Sequence, residues 1–354
     1  MRQKAKDMMA NNTTSDASSV SVVQLGLGGI GCGIVRQLAG CAGVKIVGAV
    51  DLDPAKIGRS LGSVAGLQEP IGVTVSDNIQ TVLAAGKIDV VIAATANSTL
   101  EAIETEVCEI LENGVDVISP CMDVSDPYLY NAEVSERIDQ ACQSGGSTFL
   151  GIGSTQLVAR SLFALSETCR DIKFVRSFVH ADVTKFPLSS KQEHFGIQLQ
   201  LDEYNRRVQN DEIHGRESLC KEAELIANTL HLDFDESTPR FEPITDNGIV
   251  IGVDHIFEVR NAGKPLVEYT YRFIDDPEHQ YFHEFTIDAV PTLSARVNFS
   301  LDRGFEGTIV PLLKCIRSVT DSPPGILKMS TLPPGLGAMP AKPVSAAVWT
   351  QRGK

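Results

Sequence analysis

The chain has 354 residues, 43% hydrophobic and 21% charged, a globular balance that excludes intrinsic disorder. At about 150 residues per domain its length suggests two domains, and no run reaches the roughly 18 apolar residues of a membrane helix. Thirty-one basic against 45 acidic residues leave a net charge of −14, which repels phosphate backbones and anionic lipid, so neither nucleic acid nor membrane is an expected partner.

Residues 1–19 begin with bases but lack the apolar centre of a signal peptide, and read as a mobile polar leader. The eight cysteines are dispersed, with no CxxC and no Cys/His cluster at zinc spacing. They read as reduced thiols in a cytoplasmic protein, with no metal site. From Val20 onward, short apolar runs at 21–26, 44–50, 88–95, 115–119 and 147–153 alternate with helical patterns at 30–39, 79–85, 100–112 and 132–143. Runs apolar at successive positions suit strands buried on both faces of a parallel sheet. The alternation predicts an α/β fold: an N-terminal Rossmann domain, a doubly wound parallel sheet, over 20–152.

Beyond Gly153 the pattern changes. Helices are predicted over 156–170, 201–209 and 218–230, and strands over 174–182, 249–260, 266–275, 281–290 and 293–301. NAGKP (261–265) and DDPEH (275–279) are predicted hairpin turns. The 153–306 stretch therefore reads as an α+β substrate and oligomerisation domain with a mostly antiparallel sheet. A last helix (307–320) and a Pro/Gly-rich tail are expected to pack back on the Rossmann domain, completing a segment at 307–354. Tyr269, Tyr271, Phe273, Tyr281 and Phe285 can form a homodimer contact face, line the substrate cleft or fill the core.

The sharpest motif follows the first strand. Gly26, Gly28 and Gly31 form GxGxxG, with Leu27, Gly29 and Ile30 between them, at the start of a helix. Gly26 permits the tight turn, Gly28 lets the backbone approach a pyrophosphate, and Gly31 allows close packing of helix on strand. The second strand ends in Asp51, where a ribose-binding acid belongs. Dinucleotide binding follows, and Asp51 favours NAD because a carboxylate repels a 2′-phosphate. Lys56 and Arg59 can bind that phosphate instead, or simply form an exposed basic pair, so NAD or NADP stays open. Thr95 and Asn97, at the end of a parallel strand, face the expected cofactor crevice.

The next strand runs into SPCMDVSDP (119–127), which brings Cys121, Met122 and Asp123 toward the same crevice. Asp123 is the candidate carboxylate beside the substrate; otherwise it caps the turn before Pro127. Cys121 reads more simply as a packed small residue. In the second domain His180, Lys185, Lys191 and His194 can bind a carboxylate or move a proton, or lie on the surface. Glu306, just before the last helix, complements its dipole whatever else it does.

VVQLGLGGIG (22–31), VGAVDLDPAKIGRSLG (47–62) and VDVISPCMDVSDP (115–127) resemble the amine dehydrogenase and 2,4-diaminopentanoate dehydrogenase family, whose fold is like that of dihydrodipicolinate reductase. The likeness continues through FLGIGS (149–154), PLSSKQEHFG (187–196), GFEGTIVPLLKCI (304–316) and PPGILKM (323–329). The resemblance implies NAD(P)-linked oxidative deamination of a small amine, or reductive amination of a carbonyl. It also implies an acid in the loop after the fifth strand that interacts with the amine. The family's loop carries two adjacent glutamates after Thr-Cys; here Met122 and Asp123 stand there, with Pro120 for the threonine. Its Asn-Pro-Gly-Phe-like segment corresponds to Thr155, Gln156, Leu157 and Val158. The paired-His, Lys and Pro-Ser-Gly-Thr signature of dihydrodipicolinate reductase itself is absent. A reductase of another imine or carbonyl, and a dinucleotide-binding protein without turnover, are the competing readings.

Overall fold

The structure, a computed structural model, describes residues 19–95, 99–120, 126–153, 155–213, 219, 221–300 and 306–332, with backbone alone at 155–158. Its first half alternates strand and helix. The order is β1 (Val20–Leu25), α1 (Gly29–Leu38), β2 (Val44–Val50), α2 (Leu61–Ala65), β3 (Val75–Ser76), α3 (Ile79–Ala84) and β4 (Val90–Ala93). Then come α4 (Leu100–Glu112), β5 (Asp116–Ser119), α5 (Pro127–Tyr130), α6 (Ala132–Gly145) and β6 (Thr148–Gly151). These strands form one parallel sheet in the order β6-β5-β4-β1-β2-β3.

Consecutive residues of β1 are both sealed from solvent but belong to different cores. Val22 packs in the cluster that includes Ile34 and Leu38 of α1, and Val23 in the one that includes Ile103 and Val107 of α4. That is why the strands read as continuous apolar runs: helices cover both faces. The sheet reverses its winding between β1 and β4, which leaves a crevice at the carboxyl ends of these two strands.

The second sheet is built from β7 (Arg170–Asp182), β8 (Glu236–Asp246), β9 (Ile249–Asn261), β10 (Lys264–Ile274), β11 (Tyr281–Val290) and β12 (Leu293–Phe299). Its order is β12-β11-β7-β10-β9-β8, antiparallel except for the parallel pair β7 and β10. Its inner face is covered by α7 (Thr155–Ser166), through Leu162, and by α10 (Glu222–Thr229), through Ala223, Ile226 and Ala227. Between them lie α8 (Leu188–Ser190), a π turn at Lys191–Phe195, and α9 (Leu201–Gln209).

Three departures from the sequence reading are instructive. NAGKP does close a hairpin, with Ala262 and Gly263 both at positive φ (48° and 76°), the conformation a two-residue loop demands. DDPEH does not. The chain leaves β10 there, crosses β7 and pairs as β11 on its far side, because turn chemistry reverses a chain without naming its next neighbour. The predicted helix at 218–230 is shorter, and β8 has no sequence counterpart. Pro239 and Pro243 mask β8, and they are tolerated because it is an edge strand.

α11 (Glu306–Thr320) returns to the first sheet, where Ile309 fits against Gly33 of α1. β13 (Gly325–Leu327) then adds to the edge of that sheet beside β6. Among the described residues no helix is long and apolar enough to cross a membrane.

Candidate dinucleotide site

The loop between β1 and α1 is held by backbone geometry that only glycine allows. Gly26 sits at φ +82°, and a Cβ there would fall inside the Ala94 carbonyl beyond β4. At Gly31 a Cβ would overlap the Gly26 carbonyl, so this glycine packs helix against its own loop. Gly28 differs: nothing lies within 4 Å of where its Cβ would stand. It is also the N-cap of α1, and no side chain caps the helix there. The first-turn N–H groups therefore face open space with the positive end of the helix dipole.

Asp51, at the end of β2, closes the loop from the other side. Its Oδ2 accepts the Leu27 N–H at 2.7 Å and its Oδ1 the Asp53 N–H at 2.8 Å. Lys56 Nζ donates to Oδ2 at 3.1 Å and lies 3.4 Å from Asp53. Burial pushes the Asp51 carboxyl pKa up, but the two backbone N–H groups and Lys56 outweigh it and leave the pKa below its ordinary value. Arg59 is exposed and bonds Ala55 O (3.3 Å) and Ser63 Oγ (3.2 Å). The half-buried Thr95 follows β4, its N–H edge against Gly26.

Sequence reasoning missed Gln24. It is fully buried, and its Nε2 donates to the carbonyls of Leu25 (3.0 Å), Gly26 (3.0 Å) and Ile92 (3.2 Å). This one amide ties β1 to β4 across the switch point. The signal was a long polar side chain in a strand that is otherwise apolar apart from Ser21. Asp126 was missed as well. Buried at the start of α5, it pairs with Lys328 at 3.6 Å, which anchors the returning segment beside the β5–α5 connection.

Asn97, Cys121, Met122 and Asp123 lie outside the described residues. Of the second-domain candidates, His180 and Lys191 meet at one turn. His180 Nε2 bonds Asp276 Oδ2 at 3.0 Å and stacks on Phe282, with ring centroids 4.9 Å apart. Lys191 is buried and straddles Asp275 at 2.9 and 3.2 Å, so its charge is neutralised within the protein. His194 is exposed and touches the Phe195 ring edge. Lys185 is exposed too, and Glu306 is the first residue of α11.

The five aromatics of β10 and β11 belong to the core. Tyr269, Tyr271 and Phe285 are buried in the inner-face cluster, and Phe273 and Tyr281 pack against it.

The architecture is therefore a Rossmann sheet with a second, mostly antiparallel α+β unit. No family model matches the chain. Over 135 residues it is 28% identical to an amine dehydrogenase of Streptomyces virginiae, a match covering 38% of this chain and 38% of that protein. Among solved structures it resembles the amine dehydrogenase of Mycobacterium smegmatis. That comparison gives a TM-score of 0.76 at 24% identity, over 92% of this chain and 99% of the other. The myo-inositol dehydrogenase of Lactobacillus casei, solved with NAD(H) and myo-inositol, shares the fold more loosely, with a TM-score of 0.54 at 13% identity over 88% and 89%.

Proposed function

We propose that the chain is an NAD(P)-dependent oxidoreductase acting on the C–N bond of a small amine, by oxidative deamination or, in reverse, reductive amination of a carbonyl. One observation carries the reading: its fold follows 99% of an amine dehydrogenase chain, and its sequence also matches a second amine dehydrogenase.

The residues present fit a nicotinamide dinucleotide. Gly28 leaves room for a pyrophosphate against the uncapped start of α1, and Asp51 keeps lone pairs for a ribose hydroxyl. Lys56, beside it, can neutralise a 2′-phosphate, so both NAD and NADP fit, with Asp51 favouring NAD. When bound, the nicotinamide ring takes up or supplies the hydride.

Asp123 is the acid we assign to the amine. A carboxylate there stabilises positive charge at the reacting carbon and takes a proton from nitrogen or from the attacking water. In this reading residues 20–152 hold the cofactor, 153–306 the substrate, and 307–354 brace the first domain. The working form is a cytoplasmic homodimer.

Absorbance at 340 nm across a panel of amines, and of ketones with ammonia, tests the activity. Turnover restricted to alcohols or non-amine imines would replace it with the broader reductase reading, and cofactor binding without turnover would leave a binding protein. Asp123→Asn is expected to keep NADH affinity and lose at least about 100-fold in kcat. Near-native turnover would remove Asp123 from the mechanism.

A further inference from the structure

The backbone groups of Gly26 and Leu27, between β1 and α1, are all taken within the protein. The Gly26 N–H donates to Val50 O of β2 at 2.8 Å. The Gly26 carbonyl accepts from Gln24 Nε2 at 3.0 Å, and the Leu27 N–H donates to Asp51 Oδ2 at 2.7 Å. Cys32 holds the next two carbonyls, Leu27 O from its thiol at 3.1 Å and Gly28 O from its N–H at 2.9 Å. What remains for a ligand is the run of N–H groups at the uncapped start of α1.

Two of these bonds hold a single peptide unit. The Gly26 carbonyl and the Leu27 N–H belong to the same planar amide and point in opposite directions. Gln24 therefore fixes one edge of that peptide, and Asp51 fixes the other. The three groups around the Gln24 amide, Leu25 O, Gly26 O and Ile92 O, are all acceptors, so it presents its NH₂ to them. Through Ile92 the same NH₂ registers the peptide against β4, across the switch point. There is little slack. A Cβ on Gly31 would fall inside the Gly26 carbonyl and 3.1 Å from Gln24 Nε2, so the absent side chain makes room for both.

Gln24 is fully buried, so any influence on a ligand passes through the peptide it holds. Without its NH₂ the Gly26 carbonyl would be enclosed with no donor, which is costly. Rotation of the peptide toward solvent relieves that cost. It also takes the Leu27 N–H off Asp51 and turns a carbonyl oxygen toward the space an anionic pyrophosphate would fill. We propose that Gln24 is the positioning residue of the cofactor loop, fixing the Gly26–Leu27 peptide with its N–H on Asp51 and its carbonyl turned inward. It acts on cofactor binding without touching the cofactor. The proposal rests on the dinucleotide part of the reading and not on the amine.

Gln24→Met, which keeps the length and loses the donor, tests it by titration with NADH and with ADP-ribose, which lacks the nicotinamide. Both should bind at least about tenfold more weakly and by a similar factor, since both carry the pyrophosphate. Gln24→Glu supplies the rescue. A carboxyl buried among carbonyls titrates above the usual carboxylate range, and it donates only while protonated. Its NADH affinity should lie within about threefold of wild type at pH 6 and at least about tenfold below it at pH 8.5. Wild type should show no such change. Burial raises Asp51, but the Asp53 and Leu27 N–H groups and Lys56 more than offset it and keep it ionised, and burial keeps the Cys32 thiol protonated. In the ligand-free protein, NMR should show the Leu27 amide exchanging at least about tenfold faster in Gln24→Met.

A natively folded Gln24→Met with wild-type affinity for both ligands overturns the proposal, as does an unchanged Leu27 amide. Weakened binding in Gln24→Met without recovery of Gln24→Glu at pH 6 also overturns it, because lost packing would then suffice. If Gln24→Met does not fold by circular dichroism, Gln24→Glu at the two pH values decides. If wild type binds neither NADH nor NADPH, the dinucleotide reading falls, and the Leu27 amide alone decides whether Gln24 holds the loop. Amine turnover enters none of these measurements.

Discussion

Two acids, one half-buried and one buried, mark the contrast between the candidate cofactor corner and the inner face of the second sheet. Asp51 is flanked by the Leu27 and Asp53 N–H groups and by Lys56, all within about one strand and one loop of chain, and its pKa is lowered. Glu222 is more deeply enclosed, and burial raises its pKa to about 8. The first site is complete before any ligand arrives, since its anion is paired and its donors point outward. The second is a carboxyl set beside an apolar cluster, where desolvation favours its protonated form.

The largest effects should separate cradle from packing at two neighbouring glycines. Gly31→Ala places a methyl inside the Gly26 carbonyl, so helix and loop must part, at about 1–3 kcal/mol. NADH affinity should fall at least about 100-fold, because the loop loses the alignment that approaches the pyrophosphate. Gly28→Ala meets no protein atom within 4 Å, so stability should stay within about 0.5 kcal/mol of wild type. NADH should still bind at least about tenfold more weakly, since that methyl occupies the pyrophosphate's approach. Fluorescence titration beside thermal melts reads both, and full affinity in Gly28→Ala would break the assignment of the corner.

The two acids should also respond oppositely to pH. A lowered carboxyl such as Asp51 stabilises the fold above its unfolded pKa, and that contribution is lost as pH falls through its folded pKa. Glu222 runs the other way. Its unfolded pKa is about 4.3 and its folded one about 8, so between these values the native state holds the extra proton. Stability must decline as pH rises through that window, with an upper slope of about 1.4 kcal/mol per pH unit. Glu222→Gln removes the titration. Its stability relative to wild type should therefore grow between pH 5 and pH 8, by up to a few kcal/mol. Denaturant melts at pH 5, 6.5 and 8 measure this, and a difference that does not change with pH would mean that Glu222 titrates normally.

The same contrast explains what the sequence disclosed. The corner was legible because its parts are backbone groups at fixed spacing: three glycines, one strand, one acid. Gln24 escaped because an amide within a strand looks like noise until its three carbonyl partners are in place. The inner-face cluster was illegible for a deeper reason. Tyr271 and Tyr281 come from different strands, and their hydroxyls meet only because β10 pairs with β7 in parallel while β11 takes the other side. The misread DDPEH turn concealed that arrangement, so the tyrosines could be assigned equally to core, cleft or interface. The long Val/Ile runs of the first sheet needed no such partner information, since burial on both faces is written in each strand alone.

The outer face of the second sheet offers the smallest effect and a control for the cofactor corner. There Arg272 forms a two-bonded pair with Asp254 (both 2.7 Å) and lies over the Phe178 ring at 5.1 Å. In a solvated monomer such a partly exposed pair contributes about 0–1 kcal/mol, so Arg272→Ala should scarcely shift the melt and should leave NADH binding unchanged. The proposed homodimer alters that expectation if this face forms the contact. The pair would then be desolvated in the assembly, and removing the cation would strand Asp254 without a partner. Sedimentation across a concentration series distinguishes the cases. A dimer that dissociates on Arg272→Ala assigns the face to the interface, whereas an unchanged dimer moves the contact elsewhere.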